Sequence, residues 1–197
     1  MKLAALQMTS GPDVAANLEH ARGLLEEAAA LGARLAALPE NFSFMGLKDA
    51  DKRAVAEADG SGPVQDFLGS IARRLGLWIV GGTVPLRAGA DGRVAAASLV
   101  YDADGRRVAR YDKIHLFDVD LPERAESYRE SAHVAPGAQA VVIDTPVGRL
   151  GLSVCYDVRF PELYRHLSAH GAQLLAIPSA FTNRRCEPCP RTPTRSS

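Results

Sequence analysis

Apolar residues in this chain follow two patterns, short continuous runs and runs at helical spacing. The continuous stretches KLAALQM (2–8), RLAALPE (34–40), LWIVGGTV (77–84) and QLLAIPS (173–179) predict strands, the first two of them buried. Between the first two, Val14, Leu18, Ala21, Leu25, Ala28 and Leu31 recur at spacings of three and four, which predicts a helix. Ser10 with Asp13 reads as its capping box, Pro12 as part of its first turn and Gly32 as its stop. A second helix is predicted over 63–75, capped by Ser61 and stopped by Gly76. VAAASLVYD and RRVARYDK flank Asp102-Ala103-Asp104-Gly105, the pattern of a hairpin, and AVVID and GRLGLSVC pair around residues 145–148. Pro161 opens a helix over 161–170, with Leu163 and Leu167 on one face and Gly171 as its stop. Strands alternating with helices, with hairpins between, predict an α/β layered domain containing a mixed sheet.

The last fifteen residues, NRRCEPCPRTPTRSS, break both patterns. They hold four arginines, three prolines and no aliphatic or aromatic side chain, so residues 183–197 are expected to be a disordered tail beyond a domain at 1–182. The pair Cys186 and Cys189 has metal-ligand spacing, but no second pair accompanies it, and coincidence is the favoured reading.

Composition narrows the function classes. Lysine plus arginine equals aspartate plus glutamate at 23 each, which gives no electrostatic case for nucleic acid or an anionic membrane. Neither a secretory leader nor an apolar run of membrane-spanning length is seen, and three cysteines in 197 residues are no disulfide framework. A soluble protein of the reducing cytoplasm is expected.

Three polar residues stand at the ends of predicted strands: Glu40 after RLAALP, Lys113 after RRVARYD and Cys155 after GRLGLSV. In α/β sheets that edge is where ligand sites gather. Singly, each has an ordinary reading: a packing cysteine, a loop carboxylate, a solvated lysine. Jointly they make a chemical set. A carboxylate accepts a thiol proton, the sulfur attacks a carbonyl or nitrile carbon, and an ammonium favours both thiolate and oxyanion. The backbone N–H of Tyr156 would be a second oxyanion donor, and the helix beginning at Pro161 points its positive end at the same turn.

The stretches LAALPENF, RRVARYDKIHLFDVD and GLSVCYDVRFPEL resemble the nitrilase superfamily of carbon–nitrogen hydrolases, in its Nit branch, from Met1 to about Thr182. The resemblance implies an α-β-β-α sandwich that pairs into a homodimer or higher homo-oligomer, with no metal and no organic cofactor. It implies Glu40 as general base, Lys113 as oxyanion stabiliser and Cys155 as the nucleophile that forms a thioester and releases ammonia. A further supporting glutamate is expected downstream of the lysine; Glu130 is the candidate, with Glu126 and Glu123 as rivals. The substrate class implied is a small ω-amide, such as deaminated glutathione or a 2-oxo-acid amide. Carbamoylase or nitrilase activity stays open. So does a catalytically weak or inactive remnant, since the family's C-terminal part is expected to be missing.

Neighbouring residues carry paired readings. His115 either reaches the site from the Lys113 face or, as favoured, serves structurally beside it. Arg159 either grips a substrate carboxylate in a bidentate fork or, as favoured, pairs with Glu162 or Asp157. Tyr156 reads equally as pocket lining and as packing. Phe42 and Phe44 read as core.

Overall fold

Strands covered on both faces read as continuous apolar runs, because successive side chains point to opposite sides and both sides must be apolar. A computed structural model describes residues 1–89, 91–121 and 126–181. In it, neighbours along the central strands belong to different cores. Ala36, Ile79 and Leu99 enter one apolar cluster, while Leu35, Val80 and Val100 enter the other.

The central sheet contains β1 (Lys2–Ala5), β2 (Ala33–Ala37) and β3 (Trp78–Val80), all parallel. β5 (Arg93–Tyr101) runs antiparallel to β3 and pairs also with β4 (Val84–Ala88) and β6 (Arg107–Asp112). Helices α1 (Val14–Ala30) and α2 (Pro63–Leu75) cover one face through Ala21, Leu25, Phe67, Leu68 and Ile71. A second sheet, β9 (Val141–Thr145), β10 (Gly148–Leu152) and β11 (Leu174–Ala176), covers the other through Leu150, Leu152 and Ala176. Helix α3 (Pro161–Ala169) buries Leu163 and Leu167, and its Tyr164 hydroxyl lies 2.9 Å from that of Ser153, just beyond β10. The layers are therefore α-β-β-α, as expected. β2 and β6 run in the same direction, so their ends, and the chain beyond them, reach one rim.

Several local expectations need correction. β1 ends at Ala5 and is not buried: it is an edge strand whose Leu3 is 51% exposed. Asp13 alone caps α1, accepting the Ala16 N–H at 3.1 Å, and Pro12 precedes the cap. Ser61 does not cap α2. The buried Glu57 carboxylate does, accepting the N–H groups of Val64 and Gln65 at 2.6 and 3.2 Å. Gly62, at φ 143°, leaves room for that carboxylate, which a Cβ would overlap. The run 77–84 is not one strand. It leaves the sheet after Val80 because Gly82, at φ 48°, passes against the Pro39 carbonyl too closely for any side chain. That crossing fixes the loop carrying Glu40, and Thr83 Oγ1 accepts the Asn41 N–H at 2.8 Å. The hairpin β7 (Asp118–Leu121) and β8 (Glu126–Arg129) was not expected, since the alternation in β7 lasts only four residues and β8 carries none. The predicted tail at 183–197, with Cys186 and Cys189, lies outside the described residues.

Candidate active site

Three chain segments bring their polar residues together at the rim. Glu40 lies in the loop past β2, Lys113 directly follows β6, and Cys155 lies three residues past β10. Lys113 is 2% exposed, yet its ammonium is fully partnered. Nζ stands 3.0 Å from Glu40 Oε1 and 3.1 and 2.9 Å from the two oxygens of Glu130. The lysine main chain is pinned too, donating to the Ala96 carbonyl and accepting from the Gly137 N–H. Burial alone would lower its pKa, but two carboxylates outweigh burial and raise it, so the ammonium stays charged.

Each carboxylate has a second anchor. Glu40 Oε2 accepts the Ala180 N–H at 3.0 Å, and Glu130 Oε2 accepts the Phe117 N–H at 2.7 Å. Glu40 is 8% exposed and Glu130 6%. Of the rivals to Glu130, Glu123 lies outside the described residues and Glu126 begins β8.

Cys155 is half-buried and adopts φ 45°, a left-handed conformation that L residues other than Gly and Asn rarely take. That strain is on the order of 1 kcal/mol. Its N–H donates to the Pro178 carbonyl at 2.9 Å, fixing the turn against the chain beyond β11. Burial pushes the thiol up to about 11, helped by the Glu40 charge and by a hydrogen bond to that carboxylate, with Lys113 offsetting only part. Sequence reasoning expected the ammonium to favour a thiolate. It does not prevail, because burial and the Glu40 charge outweigh it. The resting group is a protonated thiol beside the Glu40 carboxylate.

Around this centre runs a line of rings. His115 stacks on Phe160 with centroids 3.7 Å apart, Tyr156 meets Phe160 at 5.6 Å and Phe117 at 5.0 Å, and Phe117 meets Tyr128 at 5.2 Å. Tyr156 is partly buried among them, and its N–H lies in the first turn of the 3₁₀ segment Cys155–Arg159, where amides lack intrahelical partners. His115 makes no pair with the cysteine in this arrangement; its ring Nδ1 lies 2.7 Å from Asp157. Arg159 is exposed and pairs with neither expected carboxylate. Glu162 is engaged by Arg165 at 2.7 Å and Asp157 by His115. Phe42 and Phe44 are buried core residues. Sequence reasoning gave Asp157 no role beyond a partner for Arg159. The available signal was its place three residues after Val154, where it accepts the Val154 N–H at 2.8 Å.

Among the described residues no group of three or more His, Cys, Asp or Glu side chains could hold a metal ion, and no helix is long and apolar enough to cross a membrane. Two surface clefts, of about 520 and 540 Å³, border α2 and contain none of the three clustered residues.

Known proteins share this arrangement of chain. The family model for carbon-nitrogen hydrolase matches residues 2–194. The deaminated glutathione amidase of Yersinia enterocolitica is 41% identical over 182 residues, covering 91% of this chain and 63% of that one. The crystal structure of the Caenorhabditis elegans NitFhit protein superposes with a TM-score of 0.82 at 37% identity, over 91% of this chain and 44% of that one. An amidase from Nesterenkonia sp. AN1 superposes with a TM-score of 0.77 at 31% identity, over 91% of this chain and 66% of that one. That structure, of a variant enzyme, records Michael addition of acrylamide at the active site cysteine. The chain thus spans under two thirds of the length of each of these relatives.

Proposed function

The chain belongs to the carbon–nitrogen hydrolase family, and on that premise we propose that it hydrolyses a small amide through a thioester on Cys155. The observation that carries this reading is the Glu40 carboxylate 3.0 Å from the Lys113 ammonium, with the charges of both acting on the Cys155 thiol. A thiol held near 11 needs a base at the moment of attack, and Glu40 is in place to be it.

In the first half-reaction Glu40 takes the thiol proton as sulfur bonds to the amide carbon. The Lys113 ammonium and the Tyr156 N–H stabilise the oxyanion. The tetrahedral adduct collapses, the C–N bond breaks, and protonated Glu40 returns its proton to the departing nitrogen as ammonia leaves. In the second half Glu40 deprotonates a water, which attacks the thioester carbon through a second oxyanion. The C–S bond breaks, the acid leaves and the thiol regains its proton. Glu130 keeps Lys113 oriented throughout.

The resemblance to deaminated glutathione amidase supports a small ω-amide that carries a carboxylate, such as deaminated glutathione or a 2-oxo-acid amide. The exposed Arg159, four residues from the nucleophile, is suited to gripping that carboxylate. A free thiol nucleophile suits a reducing, cytoplasmic compartment, and the family resemblance supports a homodimer.

The test is ammonia release from 2-oxo-acid ω-amides by the purified chain, with the acyl adduct trapped and located by mass spectrometry. A thioester at Cys155, and loss of ammonia release in Cys155→Ala, are expected. Release that survives that substitution, or turnover with no adduct on Cys155, overturns the mechanism.

A further inference from the structure

The carboxylate of Asp157 is fully buried, at 0% exposure, and among the described residues no lysine or arginine pairs with it. A buried carboxylate without such a cation persists only where donors replace water. Asp157 has four such contacts, drawn from two segments. On the nucleophile side, the Val154 N–H donates to Oδ2 at 2.8 Å, from the residue preceding Cys155. On the lysine side, the Tyr111 hydroxyl donates to Oδ2 at 2.7 Å and the His115 N–H to Oδ1 at 3.0 Å. His115 Nδ1 stands 2.7 Å from Oδ1, and since an ionised carboxylate only accepts, that nitrogen carries the proton.

Tyr111 and His115 flank Lys113 symmetrically, two residues before and two after. The same carboxylate therefore grips both sides of the lysine and the residue that leads into the strained Cys155 turn. A left-handed cysteine persists only where its surroundings over-determine it, and these contacts supply that constraint. We propose that Asp157 is a positioning residue that clamps the Lys113 segment to the Cys155 turn and so sets the distance between sulfur, base and ammonium. The proposal rests on the catalytic roles given above to Cys155 and Lys113.

Replacing Asp157 with Asn presents an N–H₂ group where Oδ1 or Oδ2 accepts, so at least one donor faces another donor. Tyr111→Phe is gentler: it deletes one contact and keeps the ring. A displacement of about 1 Å in such a site costs about 100-fold in rate. Three quantities are measured on wild type, Asp157→Asn and Tyr111→Phe: kcat and KM for ω-amide hydrolysis, the alkylation rate of Cys155 by acrylamide, and the urea midpoint.

For Asp157→Asn, kcat is expected to fall roughly 100-fold with KM within about threefold, and Cys155 alkylation to slow roughly 10-fold in protein that remains folded. Tyr111→Phe is expected to fall between it and wild type. If Asp157→Asn does not fold, Tyr111→Phe decides. Folded variants whose kcat and alkylation rate stay within twofold of wild type overturn the proposal, as does a loss carried by KM alone. Failure of the functional reading looks different: wild type then releases no ammonia, while the alkylation ratio between wild type and variants still reports the clamp.

Discussion

Two clusters in this molecule are built from the same parts, basic side chains set between carboxylates, and they differ in solvent. At the rim, Lys113 lies between Glu40 and Glu130, all three buried. On the surface, Arg107 and Arg110 share Asp59, and Arg110 also forks onto Asp112 with both bonds at 2.9 Å. The surface group has the better hydrogen-bond geometry, and its side chains are 28–43% exposed. Water and salt already solvate those charges, so pairing adds little. The buried group surrendered its water, and its ions depend on one another. That dependence keeps an ammonium charged and a carboxylate oriented at one point, as the proposed chemistry requires.

The largest expected effect comes from removing the central cation. Lys113→Met leaves two buried carboxylates facing one another, and breaking a buried pair in this way costs about 3–5 kcal/mol. The urea midpoint is expected to fall accordingly and ammonia release to vanish. Arg110→Met in the surface group is expected to change stability by less than about 1 kcal/mol. Equal losses from the two substitutions would erase the distinction between the clusters.

Glu40→Gln keeps the shape and removes the proposed base. General-base removal lowers turnover by about 10²–10⁴-fold, so kcat for ammonia release is expected to fall in that range. The amide can still accept the Ala180 N–H, and the fold is expected to remain. A kcat within tenfold of wild type would show that the thiol proton leaves by another route.

A smaller effect concerns pH. Wild-type Cys155 alkylation is expected to rise with a midpoint near 11, where an ordinary thiol has passed its own near 8.5. Folding also retains a proton that the unfolded thiol loses first. The stabilising contribution of the neutral thiol is therefore complete below about 8.5 and is lost as pH rises towards about 11. Cys155→Ala is expected to flatten that alkaline decline. A wild-type alkylation midpoint at 8.5 would mean that Glu40 and burial exert no net hold on the thiol.

Much of this was legible from the chain because the governing patterns are local. α1, α2 and α3 announce themselves by spacing, and the β5–β6 and β9–β10 pairs by their turns. Glu40, Lys113 and Cys155 could be picked out because each stands at the end of a predicted strand. The contacts that were not legible are long-range. Tyr111 and Asp157 meet across 46 residues, and Glu40 meets the Ala180 N–H across 140. No periodicity encodes such a meeting. Glu57 displaced Ser61 as the cap of α2 for a related reason: a glycine opened space for a carboxylate held by a neighbouring strand, where Glu57 pairs with Arg87 and Pro85 through its backbone. β1 was misjudged because its apolar letters are those of a central strand, while only the sheet order reveals an edge.

The smallest effect gives the comparison its sharpest test, because it depends on salt rather than on size. Asp59→Asn removes the shared carboxylate of the surface group and leaves Arg107 and Arg110 as neighbours, with Arg110 still paired to Asp112. The arginines hold Asp59 below the usual carboxylate range, so it is ionised at neutral pH and the substitution removes a full charge. Exposed pairs contribute about 0.2–1 kcal/mol, and the screening length shrinks from about 10 Å at 0.1 M salt to about 3 Å at 1 M. The loss on substitution is therefore expected to be measurable in dilute buffer and to shrink towards zero in molar sodium chloride. The Lys113→Met loss, shielded from ions by burial, is expected to be the same in both. Chemical denaturation by urea at the two salt concentrations separates these outcomes, since urea itself adds no charge. A surface loss that ignores salt, or a buried loss that follows it, would mean that solvent exposure is not what divides the two clusters.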